Sequence, residues 1–151
     1  MRILIDADGC PVVDIAIRAA QKHGLEAVIF CDFAHVYDRA GARTVTTSVG
    51  ADSVDFALVN QVKQGDIVVT QDYGLAAMCL ARRAIAVNQN GQVYTDENIS
   101  GLLHVRHISQ KARRAGGRVK GSPKRTAEQN AAFERAIEAL IAEHGGGAKP
   151  Q

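Results

Sequence analysis

The sequence lacks the features that mark secreted, membrane-spanning and disulfide-bonded proteins. Its three cysteines, Cys10, Cys31 and Cys79, are an odd number without CxxC spacing, so neither a disulfide framework nor a zinc site is predicted. No apolar run approaches the ~18–20 residues that a membrane span needs. The N-terminus has no basic lead followed by an apolar stretch and a small-residue cleavage site. We therefore expect a cytoplasmic protein that does not associate with membranes.

Tryptophan is absent, and three Tyr and four Phe leave few side chains for base stacking, so sequence-specific recognition of nucleic acid is not predicted. The net charge of +2 conceals an uneven distribution. Residues 1–105 contain eight Lys or Arg against twelve Asp or Glu, whereas residues 106–151 contain ten against four. Within Arg106–Arg125 there are eight basic residues and no acidic one. Such a segment is either a solvated loop or a surface for the phosphate backbone of nucleic acid. The candidate contacts are Arg106, Lys111, Arg113, Arg114, Arg118, Lys120, Lys124 and Arg125.

The length of 151 residues suits one domain with a substantial core. Apolar runs predict strands at Arg2–Asp6, Leu25–Cys31, Arg43–Val49, Asp66–Thr70 and Ala84–Asn88, alternating with helices at Val12–His23, Ala51–Gln64 and Tyr73–Arg83. This alternation predicts a three-layer α/β/α fold with a mostly parallel five-stranded sheet.

The last third of the chain is organised differently. We expect a helix at Glu97–Ser109, a basic loop over Arg106–Arg125, and a final helix at Ala127–His144. Thr126 and Gln129 form a capping-box signal for that last helix. Residues 1–144 are expected to form a single domain, with a disordered tail at residues 145–151.

The most informative stretch is Arg2–Pro11, RILIDADGCP. Its apolar run Ile3–Ile5 favours a buried strand. Pro11 suits the first turn of a helix, where its missing N–H is not needed. The stretch is therefore typical of a strand, a tight turn and a helix, with Asp6 and Asp8 at the carboxyl end of the strand. Ligands bind at that edge in open parallel sheets.

Further carboxylates are expected at the same edge. One follows the fourth strand, and two lie in the first turn of the helix after the third strand, where i, i+3 spacing places them on one face. Crowded carboxylates repel one another, so either their pKa values rise or a cation neutralises them. Oxygen ligands without a His/Cys cluster favour Mg²⁺ or Mn²⁺. The converging set is Asp6, Asp8, Asp52, Asp55 and Asp72.

Each aspartate also has a simpler structural explanation. Asp52 suits a helix N-cap or a first-turn position beside the helix dipole, and Asp72 suits an N-cap. The stretch Asp6–Gly9 is compatible with ordinary turn chemistry. Asp66 begins its strand, belongs to the opposite edge and is excluded from the candidate site. Asp32 ends the second strand at the acidic edge but matches no recognised motif.

Two resemblances connect these motifs to known families. Val54–Leu75, VDFALVNQVKQGDIVVTQDYGL, resembles the second half of a PIN-type nuclease domain, with Asp55 opening a helix and Asp72 in the T-x-D ending. IDADG occupies the place of the first-strand aspartate of such domains. Roughly residues 1–140 more closely resemble the bacterial YaiI/YqxD family, whose members share IDADGCPV, a DxxDF helix start, VVTQDYGLA and a late GxxKGSPK-like basic loop. The resemblance to the YaiI/YqxD family implies no particular activity.

The PIN-type resemblance implies a PIN-like fold and metal-dependent hydrolysis of phosphodiester bonds in nucleic acid, with RNA favoured as the substrate. One or two Mg²⁺ or Mn²⁺ ions would lower the pKa of an attacking water and stabilise charge on the phosphate. The implied ligands are Asp6, Asp55 and Asp72, with Asp8 and Asp52 beside the metal, and the implied catalytic residues are Asp6, Asp8, Asp55 and Asp72. Thr70 either orients Asp72 by a hydrogen bond or is an ordinary β-branched strand residue.

Two other functions stay open. IDADGC also resembles the opening signature of haloacid-dehalogenase-like phosphatases, in which Asp6 would be the nucleophile and Asp8 the acid/base. Two features count against this resemblance. Cys10–Pro11 replaces the usual Thr or Val after the signature. The later Gly-Asp motif of these phosphatases follows a strand, whereas Gly65–Asp66 precedes one. A non-catalytic RNA- or protein-binding module would keep the basic segment and need no metal.

Overall fold

The structure, a computed structural model, describes residues 1–34, 37–50, 52–101 and 124–145. Five parallel strands form one sheet in the order β3-β2-β1-β4-β5. They are β1 (Arg2–Asp6), β2 (Glu26–Asp32), β3 (Ala42–Thr47), β4 (Ile67–Val69) and β5 (Ile85–Val87). The prediction of a mostly parallel five-stranded sheet is confirmed.

Helices cover both faces of the sheet. They are α1 (Val13–Lys22), α2 (Ser53–Gln61), α3 (Tyr73–Ala81), α4 (residues 96–101) and α5 (Ala127–His144). Successive side chains of a strand point to opposite faces. Accordingly, Ile3 and Ile5 of β1 pack in one core with α1 and α5, whereas Leu4 packs in a second core with α2 and α3. The predicted three-layer α/β/α architecture is therefore confirmed.

The final helix α5 has the predicted bounds. The backbone N–H of Gln129 donates to the Thr126 hydroxyl, and the backbone N–H of Thr126 donates to the Gln129 side chain, which completes the capping box. Phe133 and Ile137 are fully buried in the core that α5 shares with α1. This packing holds α5 against the sheet.

Some predicted boundaries are wrong by a few residues. The third strand was expected over Arg43–Val49 and the helix after it over Ala51–Gln64, whereas β3 is Ala42–Thr47 and α2 is Ser53–Gln61. The helix starts late because Asp52 has a left-handed backbone with φ 69°. It ends early because Val62 is extended, with ψ 140°.

The structure describes only parts of the last third of the chain. The predicted helix at Glu97–Ser109 is helical over its described residues, 97–101. Of the predicted basic loop, only Lys124 and Arg125 lie within the described residues, and of the predicted tail only Gly145 does. No helix in the described ranges is long and apolar enough to cross a membrane.

The centre of the sheet positions the candidate site. β1 and β4 are hydrogen-bonded neighbours, with Ile3 opposite Ile67 and Ile5 opposite Val69. On its other side β1 pairs with β2. The strand order therefore reverses between β1 and β4, and open sheets bind ligands in the crevice at the carboxyl ends of such strands. Asp6 is the last residue of β1 and Thr70 immediately follows β4, so both lie at this crevice.

Candidate active site

A cavity of about 620 Å³ opens at this crevice, and we call it the acidic cavity. All five predicted carboxylates line it, together with a sixth, which the sequence placed at this edge but did not assign to the site. The six are Asp6, Asp8, Asp32, Asp52, Asp55 and Asp72. The sheet therefore brings the predicted site residues together from two strand ends and the start of one helix, and the end of β2 adds Asp32.

One threonine connects the two central carboxylates. The Thr70 hydroxyl donates to Oδ2 of Asp6 at 2.7 Å and accepts the backbone N–H of Asp72 at 3.0 Å. The sequence left open whether Thr70 orients Asp72 or is an ordinary strand residue; its hydroxyl contacts the backbone N–H of Asp72, while its only proton goes to Asp6. Thr70 is itself buried, and its carbonyl oxygen accepts the hydroxyl of buried Tyr94 at 3.1 Å. Buried Thr70 and Tyr94 therefore support Asp6 and Asp72 from the protein interior.

The environment of Asp6 raises its pKa to about 6 from an ordinary 3.8. Burial is the main cause, and the negative charges of Asp72 and Asp8 add to it. The hydrogen bond from Thr70 opposes the rise because it favours the charged form. At neutral pH Asp6 therefore carries a poorly solvated negative charge, which a cation in the cavity would stabilise. Perturbed carboxylates in clefts are typical of functional sites.

Asp72 has two roles in the structure. It is the N-cap of α3, and its Oδ1 accepts the backbone N–H of Leu75 at 3.1 Å. The same side chain lines the acidic cavity. A Cβ atom on Gly74 would approach Oδ1 of Asp72 to 3.2 Å, which is a tight contact. The glycine therefore leaves room for the carboxylate.

The carboxylates at the start of α2 are held differently from the prediction. Asp55 lies in the first turn of the helix, as expected, whereas Asp52 precedes the helix as its N-cap residue. The Asp52 side chain makes no capping hydrogen bond to the described part of α2. Its left-handed backbone is uncommon for a residue other than glycine. The capping explanation therefore does not account for an aspartate at this position.

Two side chains that the sequence did not assign also build the cavity. Asp32, at the end of β2, lines it, and its Oδ1 accepts the backbone N–H of Ala34 at 2.9 Å. Gln71 donates from Nε2 to the carbonyl oxygen of Gly9 at 2.8 Å and so ties the turn after β1 to the end of β4. The available signal for Asp32 was its position at the carboxyl end of the predicted second strand. Gln71 had no signal because its partner is a distant backbone atom.

Asp66 lies at the opposite edge of the sheet, as predicted. It is 3% exposed, its Oδ2 pairs with the Arg2 guanidinium at 2.8 Å, and its carboxylate also accepts the backbone N–H groups of Arg2 and Lys63. These bonds explain Asp66 as a structural residue that joins the starts of β1 and β4. The Gly65–Asp66 pair consequently cannot supply the later acidic motif that a haloacid-dehalogenase-like phosphatase needs.

Cys10 follows the turn after β1, and burial raises the pKa of its thiol to about 11. A thiol with that pKa is protonated at neutral pH and is a poor nucleophile. All three cysteines are free. Cys10 is therefore not a candidate nucleophile.

The donor set of the acidic cavity fits a hard divalent cation, because the charged donors that line it are carboxylates and, among the described residues, neither His nor Cys lines it. Among the described residues, no three His, Cys, Asp or Glu side chains are grouped to hold one ion. Mg²⁺ does not require such a group, since it keeps several waters and often binds through one or two carboxylates plus substrate phosphates. Asp6 and Asp72, joined through Thr70, are the best candidates for that pair.

Comparison with known proteins places the chain in a family. A family model described as "Uncharacterized BCR, YaiI/YqxD family" matches residues 4–143. This chain belongs to the YaiI/YqxD family. It is 57% identical over 143 residues to a UPF0178 protein of Exiguobacterium sibiricum, covering 95% of this chain and 98% of the relative. It is 48% identical over 137 residues to a UPF0178 protein of Ruminiclostridium cellulolyticum, covering 91% of this chain and 90% of the relative. No solved structure matches the chain.

The basic segment of this YaiI/YqxD protein falls mostly outside the described residues, which include only Lys124 and Arg125 of the eight predicted contacts. Lys124 is exposed, as a phosphate contact would need. Arg125 instead makes structural bonds: its guanidinium donates to Oδ1 of Asn130 and Oδ1 of Asn90, both at 2.7 Å, and to the carbonyl oxygen of Gln89. Arg125 therefore anchors the start of α5 to the loop after β5. The predicted contacts outside the described residues are Arg106, Lys111, Arg113, Arg114, Arg118 and Lys120.

Proposed function

We propose that this protein is a metal-dependent phosphodiesterase that hydrolyses nucleic acid, with RNA as the favoured substrate. The observation that carries the proposal is the Thr70 hydroxyl, which holds the carboxylate of Asp6 and the backbone of Asp72 together at the switch point of the sheet. An acidic surface that is only solvated does not need a buried hydroxyl to orient its carboxylates. A binding site that must present two carboxylates in one orientation does need such a group.

The residues of the cavity have separable roles in this proposal. Asp6 and Asp72 would hold Mg²⁺ or Mn²⁺, and Asp55 and Asp8 face the same cavity, where they can accept a proton from water or hold further ligands. When bound, the metal supplies neutralising charge for the phosphate and an acidified water. Thr70 keeps Asp6 oriented and, by favouring its ionised form, keeps it available to a cation near neutral pH.

The charge distribution of the protein favours a polyanionic substrate. An acidic cavity repels a polyanion unless a cation is present, so binding of nucleic acid there depends on the metal. The basic segment of residues 106–124 can hold the backbone outside the cavity, because each Lys or Arg on a phosphate releases a counterion. One phosphate of the substrate would bind the cation while other phosphates bind the basic segment. Such an arrangement favours an extended polyanion over a small phosphoester.

Hydrolysis of labelled single-stranded and duplex RNA and DNA, with Mn²⁺, Mg²⁺ or EDTA, tests the proposal. We expect cleavage with metal only, and a loss of about 100-fold or more in Asp6→Asn and in Asp72→Asn. Asp96→Asn is the matched control, since Asp96 is exposed and is not among the residues lining the acidic cavity. Metal-independent cleavage, or equal activity in all three variants, contradicts the proposal.

A further inference from the structure

A second cavity, of about 440 Å³, lies directly beside the acidic cavity. The two cavities share the carboxylates of Asp52, Asp55 and Asp72. The second cavity differs in its wall, to which α2 contributes Phe56 and α3 contributes Met78. We call it the Phe56 cavity.

The apolar wall of the Phe56 cavity is open to solvent. Phe56 is 59% exposed and Met78 is 36% exposed. Leu58 and Val59 of α2 are buried in the core, and Val54 and Ala57 pack against it partly buried, so the helix is held to the core without Phe56. An aromatic ring and a polarisable thioether on one wall form a surface on which a flat ring can stack.

We propose that the Phe56 cavity binds an unstacked nucleobase of a single-stranded nucleic acid, with Phe56 as the stacking surface. This inference rests on the proposed function, because the base would belong to the strand whose phosphate reaches the acidic cavity. Stacking on aromatic side chains is the general way in which proteins hold single strands, and it tolerates every base.

Charge selects the base over other parts of a nucleotide. The carboxylates of Asp52 and Asp55 repel a phosphate, whereas their oxygens accept hydrogen bonds from the N–H groups of a base. A neutral ring with N–H donors at its edge therefore matches a cavity that is apolar on one wall and acidic on its rim. Bases that are paired and stacked in a duplex cannot enter, so the geometry favours single strands or unpaired segments.

Binding of a labelled ten-nucleotide single strand by the full-length protein, followed by fluorescence anisotropy, tests the inference. Ca²⁺ replaces Mg²⁺ so that the strand stays intact, and an abasic strand of equal length reports the phosphate contacts alone. We expect Phe56→Ala to weaken binding of the normal strand by roughly 5- to 150-fold. Binding of the abasic strand is expected to change less than about twofold.

Phe33→Ala is the matched control, because Phe33 is 66% exposed and lines neither the acidic cavity nor the Phe56 cavity. Its binding should equal that of the wild type. Unchanged binding in Phe56→Ala, an equal loss with the abasic strand, or equal affinity for the matching duplex overturns the inference.

The outcomes also separate this inference from the proposed function. A wild type that cleaves nucleic acid with metal, and a Phe56→Ala variant that binds and cleaves equally well, would overturn the base site alone. A wild type that binds the single strand through Phe56 but never cleaves it would support the base site and overturn the proposed hydrolysis. A wild type that binds no oligonucleotide overturns both.

Discussion

Thr70 and Asp6 are joined across neighbouring strands by a hydrogen bond of 2.7 Å from the hydroxyl to Oδ2. The bond links residues that are 64 positions apart in the chain. It lies where β1 and β4 end. The Tyr94 hydroxyl donates a hydrogen bond to the carbonyl oxygen of Thr70 and so holds Thr70 in place. The geometry makes Thr70 the positioning residue of the acidic cavity.

Thr70→Val should destabilise the protein, and more strongly at high pH. Valine keeps the shape but removes the donor to Asp6 and the acceptor for the Asp72 N–H. A hydrogen bond to a charged group contributes about 1.5–3 kcal/mol, so we expect that loss in the free energy of unfolding at pH 8 and a smaller one at pH 4, where Asp6 is protonated. Urea unfolding at both pH values measures it. Thr46→Val, in β3, is the control, and an equal loss at the two pH values would contradict the role of the Asp6 charge.

Stability should depend on pH through Asp6. Its folded pKa of about 6 lies above the ordinary 3.8, so its contribution is fully present below pH 3.8 and is lost as the pH rises through about 6. The difference corresponds to roughly 3 kcal/mol. Asp6→Asn cannot ionise and should gain stability relative to the wild type between pH 4 and 7. Urea unfolding across that range measures the difference, and parallel curves for the two proteins would show that Asp6 is not perturbed.

Asp72→Asn should be more stable than the wild type without metal, and more stable than Asp72→Ala. Asparagine caps a helix about as well as aspartate, and it removes a negative charge that acts on Asp6, so we expect a gain of about 1 kcal/mol. Alanine loses the bond to Leu75 N–H and should cost about 0.5–2 kcal/mol relative to asparagine. Thermal unfolding without metal measures both.

Divalent metal should stabilise the wild type through the same carboxylates. With a Kd of ~1 mM, 10 mM Mn²⁺ would contribute roughly 1.4 kcal/mol. The gain should shrink in Asp6→Asn and Asp72→Asn and persist in Asp96→Asn. An intact Mn²⁺ response in Asp72→Asn would leave the helix cap as the sole role of Asp72.

Arg125 and the rest of the basic segment should behave differently when they are replaced. Ala at Arg113, Arg114, Lys120 and Lys124 should flatten the dependence of log affinity for a single strand on log salt by up to about 3, since each phosphate contact contributes about −0.7. Arg125→Ala should instead lower the melting temperature, because three acceptors lose their donor. An unchanged slope in the fourfold variant would place the binding surface elsewhere.

The sequence by itself determined the class of fold and the edge at which the acidic residues lie. Apolar runs such as Ile3–Ile5, separated by helical segments, indicate parallel strands, and a parallel sheet places every strand end that carries an aspartate on one side. The capping box of Thr126 and Gln129 is likewise local, so α5 could be predicted to the residue. These features depend on short-range periodicity and backbone chemistry, which a sequence displays directly.

Only the tertiary structure decided which of these residues touch one another. The donation from Thr70 to Asp6, the tie between Gln71 and Gly9, and the raised pKa of Asp6 depend on which strands are neighbours and how deeply they are buried. Arg125 shows the reverse case: its place in a basic run suggested a phosphate contact, and two of its three acceptors lie 35 and 36 positions away in the chain, on the loop after β5. Long-range contacts and desolvation leave no periodic signal, so a single sequence cannot reveal them.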